Sequence, residues 1–310
     1  MNKYLLFTLA IFWTLLSLGT QAEFIISHRG EEGFPNKYFE YYTALITLAL
    51  EKTRPDYGDY RMQQLGILDT ERTLYALAAN QYPNLIMERS YDEASTKSSK
   101  LTYINFPVDG GIVGYRVCFI NPAVKEKISK VQTLAELRHY TIIQGIGWAD
   151  TSILRHNGFK VLEIENYASM FKMTTAGRAD LFCRGANEIM PEYEVFKDIL
   201  KLYYDESFIL YYPLPRFFYL NSKSKLAKKR IEAGLKLAYQ DGSFKKLWRQ
   251  YYQPSINFAK LDQRKLFRLE NPLLKKLPQD YVQYFFDPTE PNLPAGKNES
   301  DATQPVPVVR

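Results

Sequence analysis

Between Thr141 and Glu188 the chain alternates short, β-branched apolar runs with amphipathic stretches, and that alternation leaves few folds open. Thr141-Ile142-Ile143 reads as a strand and Gln144-Gly145-Ile146-Gly147-Trp148 as a turn. A helix then runs from about Asp150 to Arg155-His156, and Asn157-Gly158 stops it. Residues 160–164 are a second strand. Asn166 caps a helix that passes through Met170, Phe171 and Thr174 to Gly177. Residues 179–183 are a third strand, leading into Arg184-Gly185-Ala186-Asn187-Glu188. Strands joined by helices predict a parallel sheet, and ligands of such sheets sit beyond the strand C-termini. The turn at 145–150 lies at such an end, where its free N–H groups would form a modest anion site.

The first 22 residues read as a secretory leader. Lys3 precedes an apolar run from Tyr4 to Leu18, and Gly19-Thr20-Gln21-Ala22 places small residues for cleavage after Ala22. The run is shorter than a membrane span needs, and no cysteine near the cleavage site offers a lipid anchor, so a periplasmic location is expected. Cleavage removes one lysine and no acid, taking the formal charge from +6 to +5. The basic residues are spread along the chain, and with export this argues against nucleic acid. With 46% apolar residues, the remaining chain is long enough for one large or two medium cores.

A similar α/β unit precedes the central one. Residues 23–27 form a strand ending at His28-Arg29-Gly30, followed by a helix over 38–52, a strand over 60–67, a helix capped by Asp69 or Thr70, and a strand over 84–87. Residues 91–100 are polar and read as an exposed loop. A strand at 101–106 is broken by Pro107-Val108-Asp109-Gly110-Gly111, and 114–120 reads as a long strand crossing between halves. Thr133-Leu134-Ala135-Glu136 is a capping box. An aromatic segment over 202–219 returns the chain to the first half, and helices over 225–239 and 244–252 follow. Five prolines after Asp287 and no apolar periodicity predict a disordered tail over 287–310.

Cys118 and Cys183 both sit in apolar strand-like runs. In an oxidising compartment they either pair or remain as two buried thiols. Two cysteines and the scattered His28, His139 and His156 match no metal-ligand spacing, so neither a metal nor a cofactor is expected. The fragment Gly145-x-Gly147-x-x-Asp150 lacks the third glycine of a dinucleotide fingerprint.

Two α/β units, a crossing strand, a return strand and two closing helices resemble a type II periplasmic solute-binding protein. Asp241-Gly242-Ser243-Phe244-x-x-Leu247 and Gly177-Arg178-Ala179-Asp180-Leu181 strengthen the resemblance. More narrowly, Gly114-Tyr115-Arg116-Val117, Gln144-Gly145-x-Gly147-Trp148-x-Asp150, Phe182-x-Arg184-x-x-Asn187-Glu188 and Asn271-Pro272-Leu273-Leu274 are similar to a divergent subgroup of family 3, the polar amino-acid binding proteins of ABC transporters. The resemblance implies an α/β fold of two domains, each a mainly parallel sheet flanked by helices, with a two-strand hinge. Domain 1 would comprise 23–113 plus 217–286 and domain 2 118–213, with hinges near 114–117 and 213–216. It also implies capture of a small molecule by hinge closure, a membrane permease as further partner, and a monomer.

The chain departs from the amino-acid pattern. Thr96-Lys97-Ser98-Ser99-Lys100 lacks the arginine that would grip a ligand carboxylate, and Arg184 stands near the position of an aspartate that would hold an ammonium. The expected ligand is therefore small and polar or anionic, an amino acid or related carboxylate, with weight on the more anionic. Arg116, Trp148, Arg184 and Glu188 should converge on the cleft, with Gly147 in the turn and Arg29 at the end of the first strand. Arg116 either faces the cleft or pairs with a surface acid, and a guanidinium at Arg184 suits carboxylate or phosphate. Trp148 is either core or a stacking wall, Asp150 reads as a helix N-cap rather than a ligand contact, and Glu188 either binds an amine or begins a helix. A dehydratase-like enzyme of the same fold, or a sensor or partner-binding module with a filled cleft, are the competing expectations. The leader has a direct check: intact mass of the exported protein should place its N-terminus at Glu23, and retention of residues 1–22 would remove the periplasmic reading.

Overall fold

A computed structural model describes residues 23–30, 37–68, 70–91, 93 and 99–288. The expected leader, Asp69, most of the polar 91–100 loop and residues 289–310 of the expected tail lie outside them. Two sheets organise the rest. The first contains β1 (Ile25–Gly30), β2 (Arg61–Ile67), β3 (Ile86–Ser90), β4 (Leu101–Tyr103) and β11 (Arg216–Asn221), in the order β2-β1-β3-β11-β4. β1 is parallel to β2 and β3, whereas the returning β11 is antiparallel to β3 and β4. The second contains β5 (Tyr115–Ile120), β6 (Thr141–Gly145), β7 (Lys160–Ile164), β8 (Leu181–Gly185), β10 (Phe208–Tyr211) and β12 (Lys265–Arg268), in the order β12-β10-β5-β8-β6-β7, with β9 (Tyr203–Tyr204) also pairing β5.

The longer helices are α1 (Lys37–Lys52), α2 (Thr70–Ala79), α3 (Ala149–His156), α4 (Tyr167–Thr175), α5 (Ile189–Leu200), α6 (Lys225–Gln240) and α7 (Ser243–Ala259). The central β6-α3-β7-α4-β8 unit has the punctuation its sequence carries. Asn166 Oδ1 accepts the Ser169 N–H at 2.9 Å, and Gly158 takes φ +83° where α3 stops. The Thr133 hydroxyl accepts from Glu136 N, and the Glu136 carboxylate reaches back to Gln132 N. In the first half, α6 crosses α1 with Gly234 directly on Ala49. A Cβ at Gly234 would fall 2.0 Å from the Ala49 carbonyl, so only glycine permits that crossing.

Several boundaries differ from expectation. β4 ends at Tyr103, and the crossing is made by residues 104–114, with Gly110 and Gly111 at φ +61° and +82° before a 3-10 turn over Ile112–Gly114. β5 starts only at Tyr115 and lies wholly in the second sheet, because its pairing with β8 and β10 begins there. Gly114 packs against the return crossing so closely that a Cβ would lie 2.4 Å from the Tyr212 carbonyl. The segment 217–286 does not stay in the first half. Lys265–Arg268 pairs in parallel with β10, then the chain goes back to place Leu274, Leu277 and Tyr281 against Phe217 and Tyr219 of the first half. The chain thus passes between the halves four times, twice more than a two-strand hinge. Asp287 and Pro288, expected in the tail, are described, and Pro288 is buried.

One buried apolar cluster runs from Ile26, Tyr41 and Phe218 of the first half through Trp248, Tyr252 and Ile256 of α7 to Phe119, Phe171 and Phe182 of the second. α7 docks on both halves: the Ser255 hydroxyl donates to the Ala186 carbonyl at 2.6 Å, and Phe258 packs on Tyr193 and Tyr204.

Cys118 and Cys183 are bonded, directly opposite one another on β5 and β8, with Cα atoms 3.8 Å apart. That is closer than the range expected for a disulfide. The Cys118 carbonyl accepts from Asp205 N on the other side of β5, so the two cysteines form a non-hydrogen-bonded antiparallel pair, where Cα atoms approach most closely. The bond joins residues 65 apart in sequence and locks the two strands that carry the arginines described below. Replacing both cysteines by serine should lower unfolding free energy by about 2–5 kcal/mol, read by denaturant titration, and an unchanged midpoint would show that the bond contributes nothing.

Candidate functional site

The C-terminal ends of β6 and β8 and the start of β5 meet at the seam between the halves, and five of the residues singled out from sequence come together there. Arg116 on β5 is buried, with Nη2 2.5 Å from Asp150 Oδ1 and Nη1 3.5 Å from Glu188 Oε2. Arg184 on β8 grips Glu192 of α5 with two nitrogens, at 2.7 and 2.9 Å, and lies 3.1 Å from Glu188 Oε2. Its guanidinium lies 4.8 Å from the Trp148 ring centre and is flanked by Tyr167 and Phe182. Trp148 thus stacks on the protein's own Arg184 and packs against the core, folded back over Gly145, where a Cβ would come within 2.4 Å of its ring.

Asp150 is not the N-cap. Trp148 holds that position, and Asp150, the second residue of α3, takes Arg116 and the Tyr212 hydroxyl on a single oxygen. Glu188 precedes α5 and is the hub. Its Oε2 accepts the Gly185 N–H at 2.9 Å, while Oε1 is 3.1 Å from Arg216 Nη2, contributed by β11 of the first half. Arg216 also approaches the Tyr42 hydroxyl on α1. Gly147 contributes only a left-handed turn, φ +75°, with open space where its Cβ would be. Arg29 sits in the first sheet, 2.8 Å from Glu88.

Glu192, Tyr167, Tyr212, Arg216 and Asp109 were not picked out as site residues. For Glu192 a local signal existed, since it lies four residues after Glu188 at the helix start, a spacing that puts both acids on one face. The others come from distant elements and share no spacing with the central unit.

Burial competes with charged partners, and the partners prevail at the two arginines of the second half. It works against the Arg184 guanidinium, but Glu188 and Glu192 more than offset it and hold its pKa well above the usual value. Arg116 is raised in the same way by Asp150, Tyr212 and Glu188 against burial. For Glu192 burial prevails over Arg184, and its pKa is raised. Burial pulls Arg216 down to about 10, with Arg29 adding repulsion. Asp109, fully buried on the first crossing, is pushed up to about 7, chiefly by burial and further by Glu188, although the Gly111 N–H and Arg116 act the other way.

The arginines expected to wait for an external anion, Arg29, Arg116 and Arg184, are thus matched inside the protein. With Arg216 they face Glu88, Asp150, Glu188 and Glu192. Around Glu188, four buried polar atoms have no hydrogen-bond partner among the described residues: Arg116 Nε, Asp109 Oδ2 and both polar side-chain atoms of Asn187. Both donors and acceptors are among them.

No protein-family model and no curated protein matches the chain. Solved structures do. An ancestral arginine-binding protein bound to arginine is 13% identical, with a TM-score of 0.54, covering 75% of this chain and 100% of that one. The ancestral amino acid-binding protein AncCDT-1, described as a precursor of cyclohexadienyl dehydratase, is 13% identical, with a TM-score of 0.53 over 77% of this chain and 99% of that one. An amino acid ABC transporter substrate-binding protein from Streptococcus pneumoniae, bound to L-arginine, is 10% identical, with a TM-score of 0.51 over 76% and 94%. The paired parallel-rich sheets, their flanking helices and these neighbours give the chain the two-domain fold of the type II periplasmic solute-binding proteins.

Proposed function

We propose that this chain is an exported solute-binding protein that closes its halves on a small ligand carrying both signs of charge, an amino acid or related zwitterion, and delivers it to a membrane permease. The observation that carries the reading is the set of buried, unpartnered donors and acceptors around Glu188. Unmade hydrogen bonds of this kind are expensive, and a ligand with an ammonium and a carboxylate complements both types. The charge balance narrows the class. With four arginines facing four acids, a net anion would add an unmatched buried charge, whereas a zwitterion keeps the seam neutral. This narrows the small polar or anionic ligand expected from sequence to its amino-acid members. The fold is shared with proteins whose structures hold arginine, which is consistent with the reading.

Arg216 bonded to Glu188 across the seam supplies the closing contact, and the unpartnered Asp109 Oδ2 supplies an acceptor for the ammonium. A second reading has one observation in its favour: the arginine–acid pairing is complete within the protein, as in a sensor or partner-binding module whose cleft is filled. A thermal-shift screen of the standard L-amino acids, dicarboxylates and amines separates the two. A rise in Tm with amino acids, confirmed by calorimetry, supports capture; no shift with any compound supports the filled module. Analysis of the recovered ligand for chemical change tests the dehydratase-like alternative.

Because Arg184 is held by two buried acids, Arg184→Ala should cost about 3–5 kcal/mol in unliganded stability, measured by denaturant unfolding. A loss below about 0.5 kcal/mol would show that the pairing is not maintained in solution.

Asp109 makes stability depend on pH. Its folded pKa of about 7 exceeds the ordinary 3.8, so between those values the folded state holds a proton that the unfolded chain has lost. Stability therefore falls as pH rises from about 4 to about 7 and is level above, by up to roughly 4 kcal/mol. Glu188, Arg116, Tyr41, Tyr42 and Tyr252 face it. Asp109→Asn should flatten that slope in Tm measured against pH and weaken zwitterion binding by about 10-fold or more. A variant with the parent slope and affinity would remove Asp109 from the site.

A further inference from the structure

The fourth passage of the chain between the halves has the geometry of a restraint. After β12, Leu269 is fastened to the second half: its N–H donates to the Tyr211 carbonyl at 2.8 Å, and Asn157 exchanges two hydrogen bonds with the Glu270 backbone. Asn271 Nδ2 then donates to the Pro213 carbonyl, on the return crossing, at 2.8 Å, while its Oδ1 caps Leu273 N. Leu274, Leu277 and Tyr281 are buried in the first half. Only five residue steps separate Leu269 from Leu274, at most about 18 Å when fully extended, and the Pro272–Leu274 turn uses much of that length.

The far end lies on the other crossing. Phe286 N donates to the Gly110 carbonyl at 2.9 Å, and its ring packs on Trp248, whose indole N–H donates to the Asp109 carbonyl at 2.7 Å. Phe285 covers Gly111 so closely that a Cβ there would meet its ring at 2.6 Å. One segment therefore touches both chain crossings, at Pro213 and at Gly110-Gly111, and both halves.

We infer that residues 269–286 are a strap that limits how far the halves open and holds the Asp109–Gly111 turn in the seam. The inference rests on the hinge-closing reading above and adds a control element to it. Rotation of the halves about residues 107–114 and 212–216 lengthens the path from Leu269 to Leu274, so opening requires release of Asn271 from Pro213 or of Phe286 from Gly110.

Spin labels at the exposed positions Lys160→Cys and Lys229→Cys of the full chain read the separation of the halves by pulsed electron resonance. Asn271→Asp keeps the cap on Leu273 and loses the donor to Pro213, and Phe286→Ala loosens the other end. The expected result is a narrow distance distribution in the parent and an added, longer-distance population in the variants, with amide exchange at 110–113 about tenfold faster in Phe286→Ala. A longer population in either variant supports the strap. Distributions in both variants that superimpose on the parent's overturn it. If the parent's distribution shifts with an amino acid that raises its Tm while the variants superimpose on it, the hinge reading stands and the strap falls.

Discussion

The Glu188 carboxylate is shared by arginines from both halves, and the arrangement of the seam depends on it. One oxygen meets Arg184, Arg116 and the Gly185 N–H, all from the second half, and the other meets Arg216 from the first. A charge buried to this extent is tolerable only with nearly all its partners present. Because one partner lies across the seam, the carboxylate is fully served only when the halves are together. Electrostatics inside the second half and closure against the first are therefore one problem with one solution.

The sheets make that solution possible by placing chain ends rather than by forming a pocket wall. β6 and β8 run parallel and deliver Trp148 and the Arg184–Glu188 segment to the same edge. β5 runs the other way beside β8, so Arg116 stands opposite Gly185, and the Cys118–Cys183 bond fixes that register two residues from Arg116 and one from Arg184. The Trp148, Tyr167 and Phe182 rings beside the Arg184 guanidinium replace part of the water it has lost. The buried apolar cluster extends unbroken through α7 from one half to the other, so the charged network sits beside a continuous core and not in an open solvent gap.

Four passages of the chain also distinguish this molecule from a pair of lobes on two strands. α7 is anchored to both halves, β12 extends the second sheet, and the final aromatic segment returns to the first crossing. Each removes some freedom of relative motion, and α7 and the final aromatic segment do so close to Asp109, the buried acid next to the network.

How much of this was legible depends on the range of the interaction that decides each feature. The β6-α3-β7-α4-β8 unit could be read because its signals are local: β-branched runs, Asn166 and Thr133 as caps, and Asn157-Gly158 as a stop act within a few residues of their own positions. The gathering of Arg116, Trp148, Asp150, Arg184 and Glu188 followed from the same periodicity, since residues at the ends of neighbouring strands in one sheet must meet. The role of Asp150 did not follow, because whether an acid at a helix start caps its own backbone or pairs with Arg116 depends on a strand placed by another part of the chain. Arg216, Tyr212 and Asp109 reach the seam only through crossings whose paths are set by Gly110, Gly111 and Gly114 packing against distant side chains and carbonyls. The return of Lys265–Arg268 to the second sheet was invisible for a similar reason: the short strand has no strong alternation of its own and is defined by the free edge of β10. Sequence alone determined the two α/β units and the residues at their strand ends. Tertiary structure decided that those charges neutralise one another, because pairing across a seam is a property of two surfaces that only the folded chain brings together.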